Sequence, residues 1–481
     1  MNSEIVVTSG QVFAISSGNG DILGNSTQGL YAHDTRFLSE YRLRVHDRDV
    51  EAVSSGQPSH ATATFYTTNR GAVGLPPGSL SIIRDRYLRD GLHEDIVVIN
   101  HSLETRHVRV AVVLDADFAD VFEVRVGPVK KQGRMVMKQR EGVDVCLTYR
   151  FKKFQRETWV LFTAPAQVEG KTALFDLSLQ PKDTWRTCVT VLPVADPMGP
   201  IPQVRCVREV LDSPLAPGER IEEASSNWSG RKPRPLDGEL PRLITDKTEL
   251  QAAYSQALSD LRALRLEYTP GDYILAAGLP WYMAVFGRDS IISAIQTKLL
   301  GPELMIGTLR TLASLQATRS DLFREAQPGK IPHEVRLGEL AILERVPHSR
   351  YYGSVDSTPL FLVLLWEAYQ WTGDLGLVQE MLPAAQAALR WIDRYGDPDG
   401  DGFVEHRAVR RRRPTHKLRN QGWKDSGDAI SFADGRLAEG SLALAEVQGY
   451  VYDAKRKMAE LYRALGEVRR ALRLEREARQ L

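Results

Sequence analysis

Cysteine is scarce in this chain: Cys146, Cys188 and Cys206 are the only thiols in 481 residues. An odd, sparse set excludes a disulfide framework, and none of the three has the spacing of a metal-binding pair. Reduced thiols in a cytoplasmic protein are therefore expected, with no metal and no cofactor called for. Net charge is almost absent as well, since Lys+Arg 62 against Asp+Glu 61 leaves +1. That balance argues against nucleic acid or an anionic membrane surface as the main partner. Long hydrophobic runs are missing too. The longest, Leu360 to Trp366, falls far short of the roughly 20 residues a membrane helix needs. The opening Met1-Asn2-Ser3-Glu4-Ile5 lacks the basic-then-apolar order of a signal peptide. What remains, 43% hydrophobic and 26% charged, predicts a soluble chain of two to four domains.

From residue 1 to about 210 the apolar pattern has period two. Val143, Val145, Leu147, Tyr149 and Phe151 alternate with Asp144, Cys146, Thr148 and Arg150, and Val108, Val110, Val112 and Leu114 repeat the pattern. Such runs between Gly, Asp and Asn turns predict an antiparallel β-sandwich with no helix of any length. Two stretches, Leu30–Leu38 and Leu114–Arg125, are richer in Asp, Arg and aromatics than a plain strand. Each is either a surface for substrate or a second domain, or local turn chemistry and ion pairing. Residues 211–243 then crowd Pro214, Pro217, Pro233, Pro235 and Pro241 among glycines, which reads as a linker.

From 244 to 481 the period changes to that of helices. Leu250, Tyr254, Leu258, Leu261 and Leu264 follow Thr245, a candidate N-cap. Further helices are predicted around Asp289–Leu300, Glu303–Leu315, Thr358–Trp371, Leu377–Arg394, Ser441–Ala464 and Val468–Leu481. Leu360–Trp366 is apolar on every side, so its helix should be shielded by others. Helices joined by long polar loops suggest part of a helical toroid whose loops feed one pocket.

The loop Asn420-Gln421-Gly422-Trp423-Lys424-Asp425-Ser426-Gly427-Asp428 packs two carboxylates, two amides and an indole into nine residues. That mixture suits a sugar: a flat apolar face for the ring, amides for hydroxyls and a carboxyl to move a proton. A polar capping loop before the next helix is the plain alternative. Asp397-Pro398-Asp399-Gly400-Asp401-Gly402 has the spacing of a calcium loop, but Ala408 stands where an EF-hand needs Glu, and an Asp/Gly turn is the simpler reading. Arg410–Arg413 reads as a solvated basic loop, without the aromatic interleaving of a nucleic-acid site.

Five motifs in order resemble the bacterial amylo-alpha-1,6-glucosidase, or glycogen-debranching-like, family of six-hairpin glycosidases, whose relatives include glucoamylases and trehalases. They are Gly278-Leu279-Pro280-Trp281-Tyr282-Met283-Ala284-Val285-Phe286-Gly287-Arg288-Asp289-Ser290, Pro328–Glu334, Tyr351–Phe361, the Trp423 loop and Glu446–Tyr452. The resemblance implies an N-terminal β-sandwich followed by an (α/α)6 barrel, and inverting hydrolysis of alpha-glucosidic bonds in an oligo- or polysaccharide. It also implies that the later barrel helices and the late Glu that serves as general base are missing from this chain. A missing C-terminal complement, or self-association over the exposed helices, is then expected. Inverting hydrolysis needs two carboxyl groups about 6.5–9.5 Å apart, one to protonate the leaving oxygen and one to activate water. The resemblance implies Asp425 as the acid, two residues after Trp423, and Arg288 with Asp289 as the grip on the terminal glucose. Trp281, His333, Glu334, Tyr352, Asp356, Gln421, Trp423, Lys424, Glu446 and Gln448 are the candidate pocket residues, with Glu334 also a candidate substitute base. Two alternatives remain open: a non-catalytic carbohydrate-binding protein, and a glycosidase acting on trehalose or an osmolyte glucoside.

Overall fold

The computed structural model describes residues 4–24, 26–127, 131–195, 240–408 and 417–481. Most of the predicted linker, Cys206 and the Arg410–Arg413 loop lie outside the described residues. Two compact units emerge: residues 4–195 with the helix Thr248–Ala263, and residues 240–244 with 264–481. The helix expected to open the second half thus belongs with the first unit, where His60 Nδ1 lies 2.8 Å from Ser259 Oγ.

The first unit is built from three antiparallel sheets. The largest has eight strands, running edge to edge as Arg134–Arg140, Val143–Phe151, Phe154–Phe162, Thr184–Val194, Leu92–Asn100, Leu80–Leu88, Thr62–Thr68 and Glu51–Ser59. A four-stranded sheet takes Ile5–Ser9, Val12–Ser16, Gly29–Ala32 and Thr35–Leu38, and a five-stranded one is centred on Arg106–Asp115. Alternation supplies the core, with Val145, Leu147 and Tyr149 buried along one strand. An aromatic chain ties the pieces together: Phe37 meets Phe118 at 6.0 Å, Phe118 meets Tyr149 at 6.0 Å, and Tyr149 meets Phe154 at 6.2 Å. Alternation also brings charge inside. Arg84 and Arg86 are buried on Leu80–Leu88 and both bond the buried Glu94 carboxylate, with Asp21 on the far side of Arg84. Two arginines paired directly with two carboxylates make that burial tolerable.

One short helix, Val121–Val126, interrupts the strands that were expected to run without helix. Its cause is local: Asp120 accepts from the Phe122 N–H while Glu123 accepts from the Asp120 N–H, a reciprocal capping box.

In the second unit the helix Ser357–Thr372 is buried from Ser357 through Leu365, as its all-round apolar character requires. Gly287–Gln296, Glu303–Leu315, Leu375–Trp391 and Ala445–Ala464 pack around it. It stops at Gly373, whose left-handed φ of 67° lets its N–H reach the Tyr369 carbonyl. Asp374 immediately caps the next helix by accepting from the Gly376 and Leu377 N–H groups. The last long pair, Ala445–Ala464 and Val468–Ala478, pack on one another. Residues 441–444 are not helical, because Gly440–Leu442 pairs as a strand with His406–Ala408.

Candidate functional site

Three helix N-termini converge in the second unit. Arg288 is the second residue of Gly287–Gln296, Asp356 directly precedes Ser357–Thr372, and Glu446 is the second residue of Ala445–Ala464. Free N–H groups and aligned peptide dipoles make such ends favourable to carboxylates and to polar ligands. Each helix is entered from a loop that the chain pins in place. Val285–Phe286 pairs with Glu334–Val335, and the Gly287 N–H donates to the His333 carbonyl. Gly287 is required there, since a Cβ would sit 2.1 Å from the Pro332 carbonyl oxygen. At Gly422 a Cβ would lie 2.2 Å from Leu444 Cδ1, a flexible side-chain end that can shift.

Arg288 joins the three segments. Its Nη1 donates to Asp356 Oδ2 and to the Gly422 carbonyl, both at 2.9 Å, and its Nη2 donates to Asp425 Oδ2 at 3.2 Å. Asp289 Oδ2 lies 4.0 Å from Nε. Burial alone would lower the Arg288 pKa, but Asp356, Asp289 and Asp425 hold it above its ordinary value. The guanidinium is therefore a fixed cation whose partners grade from a fully buried Asp356 carboxylate to a 36% exposed Asp425. Asp356 also accepts from Ser354 Oγ. The Trp423 loop is closed by Asn420 Nδ2 donating to the Ser426 carbonyl at 2.7 Å, and anchored by the Val355 N–H donating to the Gln421 carbonyl. That leaves the Trp423 indole 66% exposed beside Asp425, with Lys424 also exposed.

The remaining candidates fall into layers. Gln421 donates to Glu325 Oε2 at 2.9 Å, and the Tyr351 hydroxyl donates to the same oxygen at 2.8 Å. Glu446 is half-buried, and a Cβ placed on Gly422 would lie 3.5 Å from its Oε1. Trp281 is half-buried, and its carbonyl accepts from Arg336 Nη1 at 3.0 Å. His333 is buried edge-on against Phe286 and Tyr351, and burial lowers its pKa. Glu334 is buried as well and pairs with Arg336 and His348. Burial would raise its pKa, but the His348 hydrogen bond and the Arg336 charge pull it down to about 2. The Tyr352 hydroxyl donates to the Leu315 carbonyl at 2.7 Å from within the core. Gln448 clamps the backbone of Val404, accepting from its N–H and donating to its carbonyl.

Residues that sequence reasoning did not select also gather here. Lys330 is buried with its Nζ 5.4 Å over the Trp391 ring, and burial lowers its pKa to about 8 against the pull of Glu325 and Asp356. Tyr450 is pushed up by burial and then by the charges of Asp356 and Glu446. It lies one turn after Glu446, a helical neighbour that i,i+4 spacing could have flagged. For Lys330 no such signal existed, since a lysine in a Pro-Gly loop reads as solvated. The Asp397–Asp401 loop is a turn in which Asp397 accepts from the Gly400 and Gly402 N–H groups and Asp401 from that of Phe403. Among the described residues no helix is long and apolar enough to cross a membrane.

Residues 7–190 match the family model for the N-terminal domain of some glycogen debranching enzymes. No curated protein sequence matches the chain. A protein from the human microbiome assigned as a kojibiose phosphorylase has a similar structure, with TM-score 0.60 and 10% identity over 98% of this chain and 67% of its own. A bacterial glucoamylase solved with acarbose superposes with TM-score 0.53 and 12% identity over 99% of this chain and 67% of its own. At such identities the likeness is one of fold. Residues 7–190 thus match the N-terminal domain of some glycogen debranching enzymes, and the chain as a whole shares its fold with these two carbohydrate-active enzymes.

Proposed function

We propose that this protein hydrolyses alpha-glucosidic bonds of an oligo- or polysaccharide with inversion, with Asp425 as general acid. The observation that supports this reading best is the single guanidinium of Arg288 holding Asp356, the Gly422 carbonyl and Asp425 together beside an exposed Trp423. A carboxyl group acts as a proton donor only in its neutral form. A sugar whose hydroxyls take over the Nη2 of Arg288 would leave the Asp425 carboxyl free for that task. Arg288 and Asp289 then present donors and acceptors to adjacent hydroxyls, and the Trp423 face covers the C–H side of a ring. Glu334 fits poorly as the base, because its carboxylate is committed to Arg336 and His348 and is too weakly basic to take a proton from water near neutrality. The structures of similar fold are a kojibiose phosphorylase and a glucoamylase, which supports a carbohydrate-active reading, and the inverting 1,6-debranching activity is our narrower proposal.

Glucose release from maltooligosaccharides, branched glucans and trehalose, with the anomer followed by NMR, tests the proposal. Beta-glucose from an alpha-glucoside, lost in Asp425→Asn while sugar binding persists, is the expected outcome. Removing a general acid costs about 10²–10⁴ in rate. Unchanged turnover in Asp425→Asn would overturn the assignment, and sugar binding without any turnover by the wild-type chain would favour a carbohydrate-binding protein instead.

A further inference from the structure

The eight-stranded sheet of the first unit carries a second cluster of chemically active side chains, independent of the sugar reading. On strand Leu92–Asn100, His93 and Asp95 share the face opposite Glu94, Ile96 and Val98. The neighbouring strand Thr184–Val194 sets Cys188 directly across from Asp95 and Thr190 directly across from His93. His93 Nε2 lies 3.1 Å from Asp95 Oδ1, and Cys188 Sγ lies 2.5 Å from the same oxygen. One imidazole nitrogen, one thiol and one carboxylate oxygen thus lie within 4.8 Å of one another. On the other side, strand Leu80–Leu88 sets Asp85 directly opposite Asp95. Like charges facing across an antiparallel pair are unfavourable unless something cationic lies beside them. Asp85 accepts from Thr64 Oγ1 at 2.7 Å, which orients its carboxylate, and Arg186 on the Cys188 strand supplies one positive charge near Asp95.

We propose that His93, Asp95 and Cys188 bind one zinc-class transition-metal ion, with Asp85 or water at the fourth position. The donor set selects the class: a thiolate, an imidazole and a single carboxylate suit zinc or cobalt, whereas calcium and magnesium demand mostly oxygen. Ligand atoms sharing a tetrahedral zinc stand roughly 3.3–3.8 Å apart given its bond lengths. The His93–Asp95 separation is already close to this, and the Cys188 thiol has to swing outward by about 1 Å. The ring of His93 is oriented for the task. Its Nδ1 lies 3.0 Å from Thr190 Oγ1, so an Nδ1–H donated there leaves the Nε2 lone pair for the metal, the hydroxyl serving as the outer hydrogen-bond partner that fixes the ring. Binding displaces the Cys188 thiol proton to solvent, and the ion then bridges groups that otherwise all lean on one Asp95 oxygen. Spacing along the chain could not reveal this, since Cys188 and Asp95 are 93 residues apart.

The test uses the full chain, stripped with a chelator and titrated with cobalt(II). The expected result is one equivalent bound, with a thiolate-to-cobalt charge-transfer band in the near ultraviolet that zinc displaces. Zinc at a hundredfold excess over its Kd should raise the melting temperature of the first unit by roughly 5–10 °C. Cys188→Ser should lose the band and Cys146→Ser should keep it. His93→Gln, checked for folding by circular dichroism, should weaken binding at least about tenfold. No thiolate band in folded wild type, a band that survives Cys188→Ser, or unchanged affinity in folded His93→Gln would each overturn the proposal.

Discussion

Replacing Arg288 by glutamine should damage the second unit unequally at its two carboxylate contacts. Asp356 is fully buried, so losing its 2.9 Å partner strands a carboxylate that, among the described residues, keeps the Ser354 hydroxyl as its side-chain donor. Removing one member of a buried ion pair costs about 3–5 kcal/mol. Asp425 is 36% exposed, and water can replace the guanidinium at its 3.2 Å contact, so that interaction should be worth less than about 1 kcal/mol. Two double-mutant cycles separate the contributions, Arg288→Gln with Asp356→Asn and Arg288→Gln with Asp425→Asn, each followed by urea unfolding. We expect a coupling above about 2 kcal/mol for the Asp356 pair and below about 1 kcal/mol for the Asp425 pair. The same asymmetry means that Asp425→Asn should leave the chain folded, as the proposed test of its catalytic role requires. Coupling energies in the reverse order would refute the idea that Asp356 holds Arg288 in place while Asp425 remains free for substrate.

Two further outcomes follow from buried bases. Burial lowers Lys330 from 10.5 to about 8, so the unfolded chain binds more protons between those values and stability should rise with pH across that window. At pH 7 the charged ammonium costs the fold up to about 3 kcal/mol, so Lys330→Met should raise the urea midpoint and abolish the alkaline rise. His406 is lowered from 6.5 to about 4, chiefly by burial. Its unfolded form takes up protons first, so stability should fall as pH drops from 6.5 toward 4, by up to about 3 kcal/mol. Urea unfolding across that range checks it: His406→Gln should flatten the slope, and an unchanged slope would assign the loss to other groups.

Local order was legible wherever one face or one stripe had to be apolar. The strand Val143–Phe151 and the helix Glu303–Leu315 stand where their periodicities place them. The all-round apolar Leu360–Trp366 sits at the centre of its unit because no neighbour-free arrangement could bury it. Alternation misleads where charge turns inward. Arg84 and Arg86 sit at core positions of Leu80–Leu88, stabilised by Glu94, Asp21 and the Asn19 and Gly20 carbonyls, all from other segments. The Asp120/Glu123 box has the signature of a helix start, but it lies in a stretch whose aromatic and acidic residues fit a surface or turn chemistry equally. The site itself was legible as residue types in loops, and not as contacts.

The reason lies in what carries the contacts. Arg288 reaches Asp356 across 68 residues and Asp425 across 137. No periodicity links positions that far apart, because pairing at that range is decided by how helices pack and not by the local chain. What the local chain does decide is the placement of each group at a helix entrance, as at Gly287, where the Pro332 carbonyl leaves no room for a side chain. Once the helices pack, those entrances meet, and one arginine fork is enough to hold three loops in register. A site assembled this way is sensitive to the guanidinium's geometry as well as its charge. Lysine at position 288 keeps the cation but can bond only one of the two carboxylates in line. Arg288→Lys should therefore retain most of the stability lost in Arg288→Gln while still freeing the Trp423 loop, an outcome that faster amide exchange at residues 420–428 in an otherwise folded chain would show.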